Sequence, residues 1–389
     1  MHNFSYSIPY LLFLFYLTCI FLIELYCAKR NYSTKGIRYA IVTGFIFFFA
    51  FRGLVNTDCL SYYPFYENLK TPLDGYSISD ILTWYDWEPG FIISTIFIKS
   101  ITSDYYVWTF LWSIWGIFVL NFFFIKYSRY YSLSFLLFFI WGGYGIMTNL
   151  MRGSIAFFLF LISINYLYKR QILKYMLINI VGVTFHTSSL VYLFAYFILN
   201  KKLSKKVLWS IFIISNLFFI FHIGLTELFT ILSNILPSDI RLVSLIQAYV
   251  SDSNRSYGLT IGYIERFLTA FIVCLFYQSI ILRNKYNIIF ANAYIIYMFC
   301  MNVFADVADI ALRLSNLFIF SYWIIIPSLY NMINNKKCKY AFLYMIIFYS
   351  SMKIISANSY SYHEYKNILF GTESFESAQK RIDTLNFDK

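Results

Sequence analysis

The chain alternates between long apolar runs and short polar connectors. A helix needs roughly 17–25 mostly apolar residues to cross a bilayer. Ten runs meet that length: residues 8–28, 38–55, 105–125, 131–148, 151–168, 207–223, 260–282, 287–304, 310–331 and 340–356. Two further apolar segments do not fit as full crossings. Residues 88–102 are short for a span, and a crossing there inverts the side of every later connector, so they predict a shallow or re-entrant helix in an outer loop, 53–104. Residues 172–200 are flanked by basic clusters at both ends and must enter and leave on one side. They predict a re-entrant helical hairpin with its apex at 182–187. Re-entrant backbone is tolerated only where protein or a wet cavity surrounds it, so both segments hint at a cavity. The expected fold is an all-α integral membrane protein, a single polytopic domain over 1–389 of about ten transmembrane helices. A second outer loop at 224–259 and an outer C-terminal tail at 357–389 complete it.

Composition supports this picture. Hydrophobic residues make up 60% of the chain and charged ones 13%, more apolar surface than a soluble domain can bury. The net charge of +12 raises the question of nucleic acid, but the cations sit in connectors rather than in a surface patch. The stretches 29–38, 126–129, 169–174, 201–206, 283–285 and 336–339 carry Lys and Arg and no acid. The first large loop on the other face carries Asp58, Glu67, Asp74, Asp80, Asp86, Glu88 and Asp104, against Lys70 and Lys99. That asymmetry is the positive-inside bias, and it places both chain ends on the outer face. Residues 1–10 lack a basic n-region and a small-residue cleavage site, so the first run reads as a retained helix. Only Cys59 falls in a stretch placed outside, and no CxxC or CxxH spacing occurs; neither a disulfide framework, a metal nor a cofactor is expected.

Charged residues beside apolar helices are expensive and therefore candidates for function. Arg52 ends the second run, Arg152 begins the fifth, Arg266 enters the seventh and Arg313 lies near the start of the ninth. All four reach the outer half of the membrane. Snorkelling to headgroups explains any one of them; four on one leaflet also make an anion site, because a guanidinium matches phosphate oxygens in a bidentate fork. His186 stands at the hairpin apex, either as a packing hydrogen bond or as a polar group of the site. Glu88 precedes Pro89-Gly90 and an apolar helix, where it either caps that helix or serves as a general base. Asp58 is the other acid open to the base role.

At these residues the chain resembles the EpsG-type exopolysaccharide polymerases, relatives of the Wzy O-antigen and capsule polymerases. Phe51-Arg52-Gly53-Leu54-Val55-Asn56-Thr57-Asp58 with Tyr62 is similar to that family's first-loop signature, and Glu88-Pro89-Gly90-Phe91 to its acid-x-Gly-aromatic element. Met151-Arg152-Gly153-Ser154-Ile155-Ala156 resembles its Arg-Gln-x-x-Ala helix start, Phe185-His186-Thr187-Ser188-Ser189 its Phe-His-x-Ser-Ala element, and Tyr365-Lys366 its Pro-Tyr-Lys element. Cys59, Gly153 and Glu364 depart from the usual residues at their positions.

The resemblance implies a GT-C-like bundle and a membrane glycosyltransferase of the bacterial inner membrane, its active site facing the periplasm. Such an enzyme moves a growing glycan from one undecaprenyl diphosphate onto the terminal sugar of another lipid-linked repeat unit. Its partners are those lipid-linked oligosaccharides, membrane lipid and a chain-length regulator protein, with no nucleic acid. On this reading Arg52, Arg152 and Arg313 bind diphosphate with Arg266 and Lys366 beside them. Asp58 or Glu88 is the acceptor base, His186 positions a phosphate or hydroxyl, and Tyr62 and Tyr365 face sugars. An O-antigen ligase, or a flippase for lipid-linked sugars, are the competing readings.

Overall fold

The computed structural model describes residues 3–222, 231 and 258–383. Helices make up 79% of it, and no strand forms among the described residues. Two compact units divide the chain: Met1–Tyr196 with Pro327–Lys389, and Phe197–Ile326. The outer loop expected at 224–259 lies almost wholly outside the described residues.

In the first unit, α1 (Ile8–Arg30) has Pro9 in its first turn, where a missing N–H leaves no helical bond unmade. It stops at Asn31, whose left-handed φ of 55° closes the helix end. α2 (Lys35–Phe45) runs into a π-helical turn, Ile46–Ala50. Two short helices follow, α3 (Cys59–Asn68) and α4 (Ile78–Thr83). With α5 (Pro89–Lys99), only 11 residues long, they occupy the predicted outer-loop region. α6 (Tyr105–Tyr127) begins on Asp104, whose carboxylate accepts from the N–H groups of Tyr106 and Val107 at 2.7 and 3.4 Å. α7 (Tyr131–Phe138) and α8 (Tyr144–Thr148) are separated by a break at Trp141 and Gly142. Gly142 takes φ 86°, a conformation that glycine adopts without a Cβ penalty. α9 (Met151–Tyr168) is followed by α10 (Ile172–Val183) and α11 (Leu190–Ile198). These last two are the arms of the predicted hairpin. The Tyr175 ring on one arm lies 5.2 Å from Tyr196 on the other, and its hydroxyl donates to the Tyr192 carbonyl.

The second unit holds α12 (Lys205–Ile220), α13 (Ile261–Arg283), α14 (Asn287–Val303) and α15 (Ala308–Asn316). Polar side chains stitch it together. Asn292 donates to the carbonyls of Leu199 and Lys201 at 2.8 and 2.7 Å, and Glu265 accepts from Tyr322 at 3.0 Å. The unit boundary falls at Pro327 inside α16 (Tyr322–Met332). The chain then returns to the first unit with α17 (Lys336–Asn358), capped by Asn335, and α18 (Phe375–Asp383) in the C-terminal tail.

Among the described residues six helices are long and apolar enough to cross a membrane, or seven if the bent pair Ala308–Asn316 and Ile319–Met332 forms one span. The expected ten is therefore too many. Residues 35–50 begin on a basic turn and lose α-helical continuity at the π turn. α12 has 16 residues and starts on Lys205 and Lys206, and α14 has 17. Hydropathy along the chain does not register where a helix bends, as the 52° break after Asn316 does.

The acid in the first span was passed over in the sequence. Glu24, 7% exposed, accepts from the N–H groups of Tyr131 and Ser132 at 3.0 and 2.8 Å and so caps α7 from a neighbouring helix. A lone carboxylate inside an apolar run was the available signal.

Candidate functional site

Three chain segments of the first unit converge: the start of α5, the start of α9 and the hairpin apex. Gly90 makes the first junction possible. Its N–H donates to the Thr184 carbonyl at 2.8 Å, and a Cβ there would stand 2.2 Å from Thr184 Oγ1. Only glycine allows that approach. The docking brings Glu88, immediately before α5, up to the apex, where its Oε1 accepts from the Thr187 N–H at 3.1 Å. Its Oε2 accepts from Arg152 Nη1 at 2.8 Å. The carboxylate is thus turned away from the N–H groups of its own helix; no side-chain cap bond forms there.

Arg152 is held from three directions. Besides Glu88, its Nε donates to the Tyr62 hydroxyl at 3.3 Å, and its guanidinium carbon lies 4.8 Å from the centre of the Trp87 ring. Tyr62 is fixed in turn by an aromatic cluster with Trp87, Phe91 and Trp108. The Arg152 side chain is 24% exposed, against 13% for Glu88. A cation aimed this way and still reachable is suited to an anionic oxygen.

Asp58 precedes α3 one helical turn before Tyr62, and its charge acts on the Tyr62 phenol. Its backbone N–H donates to Asn149 Oδ1 at 2.9 Å. His186 opens the 3-10 turn beside Thr187. Its Nδ1 accepts from the Ser188 N–H at 3.2 Å, which assigns the ring proton to Nε2. Its ring lies beside Gly153 of α9, where a Cβ would stand 3.7 Å from His186 Cδ2.

Burial pushes the Glu88 carboxyl up, but the backbone N–H bonds and the charge of Arg152 outweigh it, holding it below the usual carboxylate value. Burial pushes the Tyr62 phenol up, so it remains protonated at neutral pH.

Arg52, Tyr365 and Lys366 form a separate strip. Arg52 is buried, and its Nη1 donates to the Phe49 carbonyl and the Ser113 hydroxyl. Its backbone pairs with the tail: the Gly53 N–H donates to the Lys366 carbonyl at 2.9 Å, and the Ile368 N–H to the Phe51 carbonyl at 2.9 Å. Tyr365 stacks on Phe48 at 4.5 Å and donates to the Phe48 carbonyl, so one face of its ring is already covered. Lys366 pairs with Glu364 at 2.7 Å. Arg266 and Arg313 belong to the second unit, Arg266 buried on α13 and Arg313 exposed on α15.

Two sets of residues escaped the sequence reading. Trp87 and Thr187 adjoin chosen residues and were overlooked as their neighbours. Arg381 on α18 donates to the carbonyls of Leu54 and Ser361 at 2.7 and 3.0 Å and pairs with Glu373 at 2.8 Å, clamping the first-loop signature to the tail. Nothing local in the sequence links Arg381 to Leu54. No cluster of three or more His, Cys, Asp or Glu side chains suited to a metal occurs among the described residues.

No curated protein and no solved structure matches the chain. A sequence model of the EpsG family matches residues 35–368, nearly the whole chain.

Proposed function

The chain belongs to the EpsG family of Wzy-like polymerases, and from that premise we propose that it is a membrane polysaccharide polymerase acting on lipid diphosphate-linked repeat units. The acceptor sugar's hydroxyl oxygen attacks the anomeric carbon of the donor glycan. A glycosidic C–O bond forms, the C–O bond to the diphosphate breaks, and undecaprenyl diphosphate leaves with the electron pair. Arg152 stabilises the charge that grows on the leaving oxygen. Asp58 takes the hydroxyl proton, one turn from Tyr62. Glu88 is a poor base, with both oxygens engaged and its carboxyl held low; its part is to aim Arg152. Positive-inside charge bias supports an inner-membrane protein whose site faces the periplasm.

The observation that carries this reading is the three-sided grip on Arg152 by Glu88, Tyr62 and Trp87. Arg152→Ala removes a preorganised donor, an effect of about 10²–10³-fold on turnover. Purified protein in liposomes with lipid-linked repeat units should lose its glycan ladder in this variant while its membrane insertion stays intact. A wild-type ladder from Arg152→Ala refutes the assignment. Flipping of the lipid-linked sugar without elongation by the wild-type chain overturns the polymerase reading.

A further inference from the structure

A groove of about 730 Å³ runs between the first half of α1 and the end of α2, crossed at one end by residues 365–371 of the tail. Its volume lies in the range of ligand sites, about 300–1,000 Å³. The walls are graded. Tyr16 and Gly44 mark the inner end, where a Cβ on Gly44 would lie 2.5 Å from Tyr16 Cε1, so the two helices close on each other there. Phe13, Phe47 and Phe48 line the middle, and Tyr365 stands beside Phe48. Lys366 is the one charged residue lining the groove, and it sits at the tail end. From Pro9 to Tyr16 the groove follows α1 for about 10 Å at the helical rise.

We propose that this groove seats the isoprenoid tail of a polyprenyl phosphate or diphosphate, with the anionic head at Lys366. The proposal rests on the function given above, in which both substrates are lipid diphosphates. Three features favour that occupant. The polarity gradient, apolar depth with a cation at one end, complements a single amphipathic chain with an anionic head. The aromatic lining suits a branched, unsaturated chain, whose methyls and sp² carbons pack on ring faces and edges. The third is a backbone link to the chain just before Asp58: the segment that lines the head end is bonded to Phe51 and Gly53. A head at Lys366 therefore lies beside the segment that leads on to Asp58 and Tyr62. The Lys366–Glu364 pair does not block this, because both side chains are about a third exposed and an exposed pair is weak enough for a phosphate oxygen to displace.

The test uses the full chain in nanodiscs of phosphatidylethanolamine and phosphatidylglycerol, with sugar-free undecaprenyl phosphate as the probe and native mass spectrometry as the readout. The wild-type chain should retain the probe against excess phosphatidylglycerol. Leu12→Trp fills the groove from an exposed position (Leu12 is 63% exposed), so folding is spared, and retention should fall about tenfold. Thr43→Trp on the opposite wall should act alike. Phe15→Trp, exposed on α1 but outside the groove, should leave retention unchanged. Undiminished retention in both groove variants overturns the proposal, as does equal displacement by phosphatidylglycerol, which marks an ordinary lipid contact. Binding of the sugar-free lipid needs no glycosyl transfer, so the groove can fail with elongation intact and elongation can fail with the groove intact.

Discussion

Substituting Glu88 by Gln keeps the side chain's shape and removes its charge, and the outcome separates aiming from base catalysis. In the native site one carboxylate oxygen accepts from Arg152 at 2.8 Å and the other from the Thr187 N–H at 3.1 Å. An amide has one acceptor oxygen, so its NH2 must face a donor on one side whichever way it is turned. A hydrogen bond to a charged group contributes about 1.5–3 kcal/mol. If that energy is lost from the alignment of Arg152, turnover should fall roughly 10–150-fold, with KM moved much less because ground-state binding is spread over the lipid. A base at this position predicts a loss of about 10²–10⁴-fold that does not depend on Arg152. The discriminating measurement is the Glu88→Gln effect in an Arg152→Lys background, by glycan elongation in liposomes. Coupling through Arg152 should shrink the effect to within about threefold. The same fold-loss in both backgrounds, or full activity of Glu88→Gln alone, refutes the aiming role. The pH dependence follows in sign. Because Glu88 is held below its ordinary value, its contribution is complete above the unfolded carboxyl value of about 4.3 and is lost as pH falls through the folded value. The acid limb it produces should vanish in Glu88→Gln.

Two further substitutions test the framework around this pair. Gly90→Ala places a Cβ 2.2 Å from Thr184 Oγ1 and 2.8 Å from its carbonyl oxygen, forcing α5 off the hairpin apex. Elongation should drop at least about tenfold with insertion unchanged, and Thr184→Ala should rescue it only in part, since the carbonyl remains. Wild-type elongation by Gly90→Ala alone shows that the apex tolerates displacement. Glu24→Ala strips the buried N–H groups of Tyr131 and Ser132 of their acceptor. A cost of about 2–4 kcal/mol should appear as a lowered unfolding temperature in detergent, smaller in Glu24→Gln; an unchanged midpoint removes Glu24 from the account of stability.

Much of the candidate site was visible as separate residues. Arg152, Glu88, Tyr62 and His186 each stood out by charge, by position beside an apolar run or by family resemblance, and the structure gathers them around the start of α9. What each one does was not visible. Glu88 looked equally like a cap and a base until its oxygens were found on Arg152 and Thr187. Arg52 looked like Arg152, yet one is buried against Phe49 and Ser113 while the other keeps an exposed edge. Tyr365 looked like a sugar platform and is stacked on Phe48.

The division follows from how the two kinds of energy add. Transfer of a segment from water to lipid is a sum over that segment's own residues, so the amino-acid sequence alone determined that this is an all-α membrane protein of apolar helices joined by polar connectors. Bends and charge partners depend on neighbours far along the chain. The break at Gly142, the number of spans and the 64-residue reach from Glu88 to Arg152 are set by what packs or bonds across space. A guanidinium carries the same charge in every fold; only the tertiary structure decides which acceptors occupy it and which face it keeps for a substrate.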